Sequence, residues 1–253
     1  MVDVVTGYLD DALSCIDQEE MECDEYECPD EYECPEHEFY NFQKNKSIKL
    51  GQIWALYSDM DTFPKYYAQL KRINLKEQIV YIQWLEPIGK GAVGEDKRWF
   101  DSMLPSGCGT FVVTGEKNSY DKYAFSHKVT ARQLTGKKNA FEIIPVVTEI
   151  WAVYRNWTLI LSGDDIDENC QYDLVWVSEL THTGIKVLLL AKVAGHRTVF
   201  RLDSERKSVE IPRGEFTRFS HRIPQHRLIH EAGGNLCGCW ELDPAALPES
   251  FIY

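Results

Sequence analysis

The sequence predicts a mainly β protein with two small barrels in tandem behind an acidic N-terminal tail. Short runs rich in Ile, Val, Tyr and Trp alternate with Gly, Pro, Asn and Asp, which is typical of strands and turns. Two segments recur at nearly the same offset, and the charged residues are unevenly distributed. These observations predict a disordered tail over residues 1–38, a first β unit over 39–145 and a second over 146–253.

The tail carries the negative charge of the chain. Residues 1–43 contain fifteen Asp and Glu and no Lys or Arg, whereas residues 44–253 contain twenty-five acids and twenty-seven bases. Like charges repel and this stretch has little apolar surface to bury, so we predict that the tail is disordered when alone. It would either solvate the protein or attract a basic partner at a distance.

The strand pattern recurs in both units. In the first unit it predicts strands at 52–57, 66–74, 79–85, 109–114, 124–128 and 141–144. In the second unit it predicts strands at 149–154, 172–180, 185–192, 197–202 and 219–222. About five short strands in a unit of roughly 95 residues suit a small barrel, because closure removes exposed edges.

The internal matches indicate a duplication. Gly51–Tyr57 matches Thr148–Tyr154 at an offset of 97, and Phe125–Val129 matches Phe219–Ile223 at an offset of 94. Two matches in the same order point to two copies of one unit. We therefore predict two tandem SH3-like or Tudor-like barrels, with a single intertwined β domain that shares strands as the alternative.

The first unit contains the aromatic pattern of a peptide-binding cage. Aromatic faces attract a methylated ammonium group through the ring quadrupole, and small Tudor-like barrels use this attraction. The succession Ala55–Asp59, Tyr66–Ala68 and Val80–Trp84 resembles the Tudor order of strand one, acidic loop, strand two and strand three. On this resemblance the cage candidates are Tyr57, Tyr66 and Trp84, with Asp59 or Asp61 as the acidic neighbour. Core packing is the alternative role for such aromatic side chains.

The second unit is a weaker cage candidate. Tyr154, Trp157 and Tyr172 are available, but the third-strand position falls in the aliphatic run Val187–Leu190. This unit is expected to support the first or to offer a groove between the two. Trp54 and Trp151 lie between Ile and Ala at equivalent places in the two units, and we predict that both pack in the cores.

Ser and His are adjacent at the end of each unit, as Ser126–His127 and Ser220–His221. Successive residues of a regular strand point to opposite faces, so we expect neither pair to act as nucleophile and base. A structural role at the end of the strand is predicted instead.

A metal site and an active site are both disfavoured. Near the C-terminus lies a cluster with metal-ligand chemistry, namely His226, His230, Cys237 and Cys239. Its spacing does not match a common zinc finger, and one residue instead of two separates its cysteines. The sequence also lacks a phosphate-binding glycine loop, HExxH, GxSxG and the kinase signatures. No metal, cofactor or catalytic residue is therefore predicted.

The charge distribution and the cysteines indicate which partners and which cell compartment the protein has. The near-neutral folded part disfavours nucleic acid, although Lys65, Lys71 and Arg72 form a local basic group. No apolar run approaches the roughly 18 residues of a membrane span, and the N-terminus lacks the basic segment of a signal peptide. Of the eight cysteines, four lie in the tail and the others are scattered along the chain. This distribution fits reduced thiols in a reducing compartment better than disulfide bonds. A protein without a membrane association is expected.

In several of these segments the sequence resembles domain of unknown function 3444 (DUF3444), which is found in plants at the C-terminal side of DnaJ-type proteins. The resemblance covers about residues 39–250 and rests on segments that include Phe39–Phe42, Gly51–Tyr57, Tyr66–Ala68, Trp84–Pro87, Leu104–Gly109, Phe125–His127, Phe219–Pro224 and Leu242–Pro248. It implies a plant, nuclear or nucleocytoplasmic protein linked to J-protein or transcription complexes. The sequence contains no His-Pro-Asp tripeptide, which J domains need, so direct co-chaperone activity is not expected.

Together these patterns predict a non-enzymatic module that binds a protein or peptide partner. A chromatin-associated reader of a peptide such as a histone tail is the first hypothesis. A chaperone-associated adaptor that binds its partners independently of modification is the second.

Overall fold

The computed structural model describes residues 39, 48–58, 62–74, 76–89, 97, 99, 105–155, 157, 171–229 and 236–252. In this part of the chain, strands form two antiparallel sheets, one a nearly closed barrel and the other a half-barrel. The prediction of a mainly β fold with two small barrel-like units is confirmed. The acidic tail, residues 1–38, lies outside the described residues.

The first sheet has seven strands, all from the first unit. They are β1 (Ile53–Leu56), β2 (Tyr66–Asn74), β3 (Ile79–Pro87), β4 (Gly109–Asp121), β5 (Phe125–Lys128), β6 (Arg132–Gln133) and β7 (Ala140–Ile143). Their spatial order is β5-β1-β2-β3-β4-β7-β6. A 3₁₀ turn, Lys122–Ala124, joins β4 to β5, so that β5 returns beside β1 as in SH3-like folds.

The second sheet has eight strands. They are β8 (Ile150–Tyr154), β9 (Tyr172–Leu180), β10 (Gly184–Lys192), β11 (Val199–Leu202), β12 (Val209–Pro212), β13 (Phe219–Ile223), β14 (Gln225–Arg227) and β15 (Trp240–Leu242). The order is β13-β8-β9-β10-β11-β15-β14, and β12 also pairs with β10. A 3₁₀ segment, Arg213–Arg218, precedes β13.

The strand order shows that the duplication extends over the whole unit. Strands β11 and β12 pair with the two halves of β10, as the single long β4 pairs along β3. Trp54 lies opposite Lys128, and Trp151 lies opposite Arg222 at the equivalent place. Within the described residues, each sheet contains strands of its own unit only.

Equivalent aromatic pairs anchor the two copies. Trp54 meets Phe125 edge to face at 6.5 Å, and Trp151 meets Phe219 in the same way at 5.8 Å. All four side chains are buried. Each indole N–H donates to the side chain two residues earlier, that of Gln52 or Glu149. The predicted structural role of Trp54 and Trp151 agrees with this packing.

The two units share side chains across their interface. Trp99 and Phe63, from the first half of the chain, pack in the main core cluster of the second unit, and Cys108 packs in its other cluster. Gly107 lies so close to the Ser220 backbone that a Cβ there would stand 2.3 Å from the carbonyl oxygen. The described residues include no helix long and apolar enough to cross a membrane.

Candidate functional site

Tyr66 and Trp84 lie on the same face of the first sheet. Trp84 pairs with Ala68, whose side chain points to the same side as that of Tyr66, two residues away along β2. Tyr66 is 42% exposed although its partner on β1, Leu56, is buried. The preceding pair, Tyr67 with Leu85, places the exposed Glu86 across from Tyr66. We call Tyr66, Trp84 and Glu86 the aromatic corner.

Neighbouring strands hold the Trp84 ring in place. Tyr120 of β4 contacts it edge to face, with ring centroids 5.4 Å apart. In the orientation of the Asn118 amide that satisfies its hydrogen bonds, the amide oxygen accepts from Trp84 Nε1–H at 3.2 Å. The ring is half-buried, so one part packs in the unit and the rest faces outward. A ring fixed in this way presents a preformed flat apolar surface.

The structure does not bring Tyr57 to the aromatic corner. Leu56 lies on the same face as Tyr66, so the next residue, Tyr57, points to the other face. Its hydroxyl donates to Asp243 Oδ2 at 2.6 Å, which connects the two units. Burial raises the pKa of the Asp243 carboxyl, while the Tyr57 hydroxyl and the Ala245 N–H oppose that shift. The predicted acidic neighbours, Asp59 and Asp61, lie outside the described residues.

The aromatic candidates of the second unit do come together, but in a closed core. The rings of Tyr154 and Tyr172 lie 5.3 Å apart, and all three candidates, including Trp157, are buried. Trp99 packs against two of them, with its ring 5.2 Å from that of Tyr154 and 6.4 Å from that of Trp157. Phe63 adds an edge contact to Tyr172. These rings therefore cover one another instead of facing solvent, a role for Trp99 that the sequence did not indicate.

The expectation that Ser and His point apart is wrong in both units. Ser126 Oγ lies 3.0 Å from His127 Nδ1, and Ser220 Oγ lies 3.0 Å from His221 Nδ1. The cause is a β-bulge at the same position of both strands, which shifts the register against β1 or β8. Both serines are buried, so neither hydroxyl is presented to a substrate. This burial favours the predicted structural role of the two pairs.

The Ser-His strands lie at the interface between the units. His221 Nε2 bonds to the Ala246 carbonyl at 2.9 Å, and the His221 ring stacks on Phe63 at 4.5 Å. Arg222 Nη1 donates to the Lys128 carbonyl at 3.3 Å, so residues at equivalent positions of the two copies touch. Sequence matching found these segments but gave no sign that they meet.

A small cavity at this interface contains several ionisable side chains. Tyr67, His127, Glu149 and Arg222 line it, together with Trp151, Thr130 and aliphatic residues. The Glu149 carboxylate lies 3.3 Å from Arg222 Nε and accepts from Trp151 Nε1–H. Burial lowers the pKa of His127 well below its usual value, and the charges of Arg222 and His221 lower it further. His127 is therefore neutral near pH 7.

The described C-terminal His and Cys candidates are spread over β14 and the turn before β15. His226 is exposed and opposite Glu241, Cys237 is half-buried and Cys239 is buried. His230 lies outside the described residues. Within the described part of the chain, no three His, Cys, Asp or Glu side chains are placed to hold a metal ion.

The fold and this site define a two-unit β protein with an SH3-like strand order and an exposed aromatic corner on its first unit. The chain matches the family model described as "Domain of unknown function (DUF3444)" over residues 28–232 and therefore belongs to that family. The match begins before the predicted range and ends before Leu242–Pro248. No curated protein and no solved structure matches the chain.

Proposed function

We propose that this protein is a non-enzymatic interaction module that binds a peptide at the aromatic corner. The observation that carries the proposal is Tyr66, exposed on the face that it shares with the half-buried Trp84. A cation is attracted both to aromatic faces and to a carboxylate such as that of Glu86. The matching partner is a basic peptide, and a histone tail in the nucleus has this chemistry.

The acidic tail supports a basic partner as well. Its fifteen carboxylates would raise the local concentration of a Lys-rich or Arg-rich peptide before it reaches the corner. Attraction of this kind increases the association rate and weakens with salt. A nuclear or nucleocytoplasmic location, within J-protein or transcription complexes, fits such a module and is part of this proposal.

A titration of histone H3 tail peptides in each lysine methylation state would test the proposal. We expect wild-type protein to bind, and both Trp84→Ala and Tyr66→Ala to weaken binding by about tenfold, as loss of about 1.4 kcal/mol implies. Tyr123→Ala is the matched control, because Tyr123 is also an exposed tyrosine of this unit but lies on the 3₁₀ turn. Equal binding by all four proteins, or none by any, would contradict the proposal.

A second function is favoured by the openness of the corner. Two rings and one carboxylate leave a cation accessible on its remaining sides, and Tyr57 is directed elsewhere. Such a site gains little from added methyl groups, which is the behaviour of an adaptor that binds its partners independently of modification. Equal affinity for all methylation states, combined with loss on Trp84→Ala, would identify this adaptor.

A further inference from the structure

Three exposed cationic side chains lie close together at one end of the first sheet. Lys71 and Arg72 lie in β2, where the register against β3 shifts between Leu70 and Arg72. Lys117 lies two strands away on β4, opposite Gln83. All three are exposed. Arg72 lies over the ring of Tyr81 on β3, with 5.4 Å from its guanidinium carbon to the ring centroid. We call Lys71, Arg72, Lys117 and Tyr81 the cationic patch.

The positive charge of the patch is not balanced locally. The Lys71 ammonium donates to the neutral amide of Gln69. Its pKa is lowered by burial and by the charge of Lys117, so the two ammonium groups repel each other. Among the described residues, none of the three cations forms an ion pair, although arginines such as Arg132, Arg155 and Arg218 do. An anion bound here would offset this repulsion.

The chain enters the first unit beside the patch. Gly51 N–H donates to the Leu70 carbonyl at 2.8 Å, and the Gln69 amide donates to the Gly51 carbonyl at 3.1 Å. Gln69 also accepts from Lys71, so one side chain joins the entering strand to the patch. Residues 39–50 precede this point, and twelve residues span up to about 40 Å. The acidic segment before them can therefore reach all three cations.

We propose that the acidic segment, residues 17–38, binds the cationic patch of its own chain. The segment contains twelve Asp and Glu and no Lys or Arg, so its charge is complementary to the patch. A short tether gives an effective concentration of the order of millimolar, which makes even a weak contact within one molecule substantial. Tyr81 and Arg72 add an aromatic and a planar surface for the tyrosines of the segment, Tyr26 and Tyr32.

This contact is independent of the proposed peptide site. The patch lies on the face that carries Gln69, opposite the face that carries Tyr66 and Ala68. A peptide at the aromatic corner would not displace the segment by contact. A basic partner would compete with the patch for the carboxylates of the segment. The contact therefore regulates how many of these carboxylates are free to bind a basic partner.

Zero-length cross-linking of carboxylates to lysines in the full-length protein tests the proposal. We expect bonds from residues 17–38 to Lys71 and Lys117, identified by mass spectrometry of the monomer. Lys137 and Lys138 are internal controls, since they are also exposed and lie on the turn between β6 and β7. About 0.5 M NaCl, where the Debye length is about 4 Å, should abolish the bonds.

A charge-reversal variant tests whether the cationic patch causes the cross-links to the acidic segment. Arg72→Glu leaves both lysines available and should reduce their cross-links to the segment severalfold, whereas Arg197→Glu on the turn after β10 should not. A mixture of unlabelled and heavy-isotope protein separates bonds within one molecule from bonds between two. Cross-links that also form equally at Lys137 and Lys138, that ignore Arg72→Glu, that join only different molecules or that are absent would each overturn the proposal.

Discussion

The position of the His127 side chain depends on a local irregularity of the backbone. The bulge in β5 turns Ser126 and His127 to the same side, and the imidazole then lies beside Arg222 of the second unit. A regular strand would have separated the two side chains. The sequence identified the motif and its repetition, but the bulge is set by pairing with β1, which no local pattern reports.

The neutral state of His127 makes stability depend on pH. Its pKa in the folded protein lies below the usual 6.5, so the unfolded chain binds more protons under acidic conditions. The free energy of unfolding should therefore fall as pH drops below about 6.5, by at most about 1.4 kcal/mol per pH unit from this group. His127→Gln should reduce this fall, measured as urea unfolding curves between about pH 7.5 and 5.5.

His182→Gln is the control for this measurement. His182 is exposed on the turn between β9 and β10, away from the interface cavity. Its replacement should leave the pH dependence of wild type unchanged. If His127→Gln and wild type lost the same free energy of unfolding between the two pH values, protonation of His127 would not be the cause of the pH dependence.

At the scale of strands, alternating apolar runs were predictable and strands of two to four residues outside those runs were not. The bounds of β2 and β9 agree with the predicted ranges, 66–74 and 172–180. β4 extends to Asp121, beyond the predicted end at 114, because it continues as a largely exposed strand paired to β3. β6, β12, β14 and β15 have two to four residues, and pairing across the sheet, not local propensity, forms them.

The pairing of β10 with β12 requires a glycine. A Cβ at Gly184 would lie 2.2 Å from the Ile211 carbonyl oxygen, so Gly184→Ala must push β12 away. We expect it to lower the free energy of unfolding by about 1–3 kcal/mol. Gly115→Ala is the matched control on β4, where a Cβ meets nothing within 4 Å. Thermal or urea unfolding of both variants measures the difference, and equal stabilities would show that β12 tolerates the shift.

At the scale of the whole molecule, the two copies keep one strand order but differ at the connection after their third strand. In the second unit, β10 and β11 are joined by the short turn at 193–198. In the first unit, residues 88–108 join β3 to β4 and carry Trp99 into the core of the second unit. The sequence predicted the duplication because both copies retain their packing residues. It did not place Trp99, because residues of the other copy bury it.

Trp99 therefore tests whether the two units unfold together. It is fully buried, its indole donates to the Pro105 carbonyl at 2.9 Å, and it stacks among Tyr154 and Trp157. Trp99→Ala should cost about 3–5 kcal/mol, although Trp99 belongs to neither sheet. Because it joins the first half of the chain to the second core, the loss should appear in both units.

Far-ultraviolet circular dichroism and tryptophan fluorescence during urea unfolding would measure this effect. Wild type should give coincident transitions, and Trp99→Ala should move both to lower urea or separate them. Tyr123→Ala, at an exposed ring outside both cores, should leave them unchanged. A Trp99→Ala protein as stable as wild type would mean that the second core closes without the side chain, and that other contacts between the units, such as those of Phe63, Gly107 and Tyr57, hold them together.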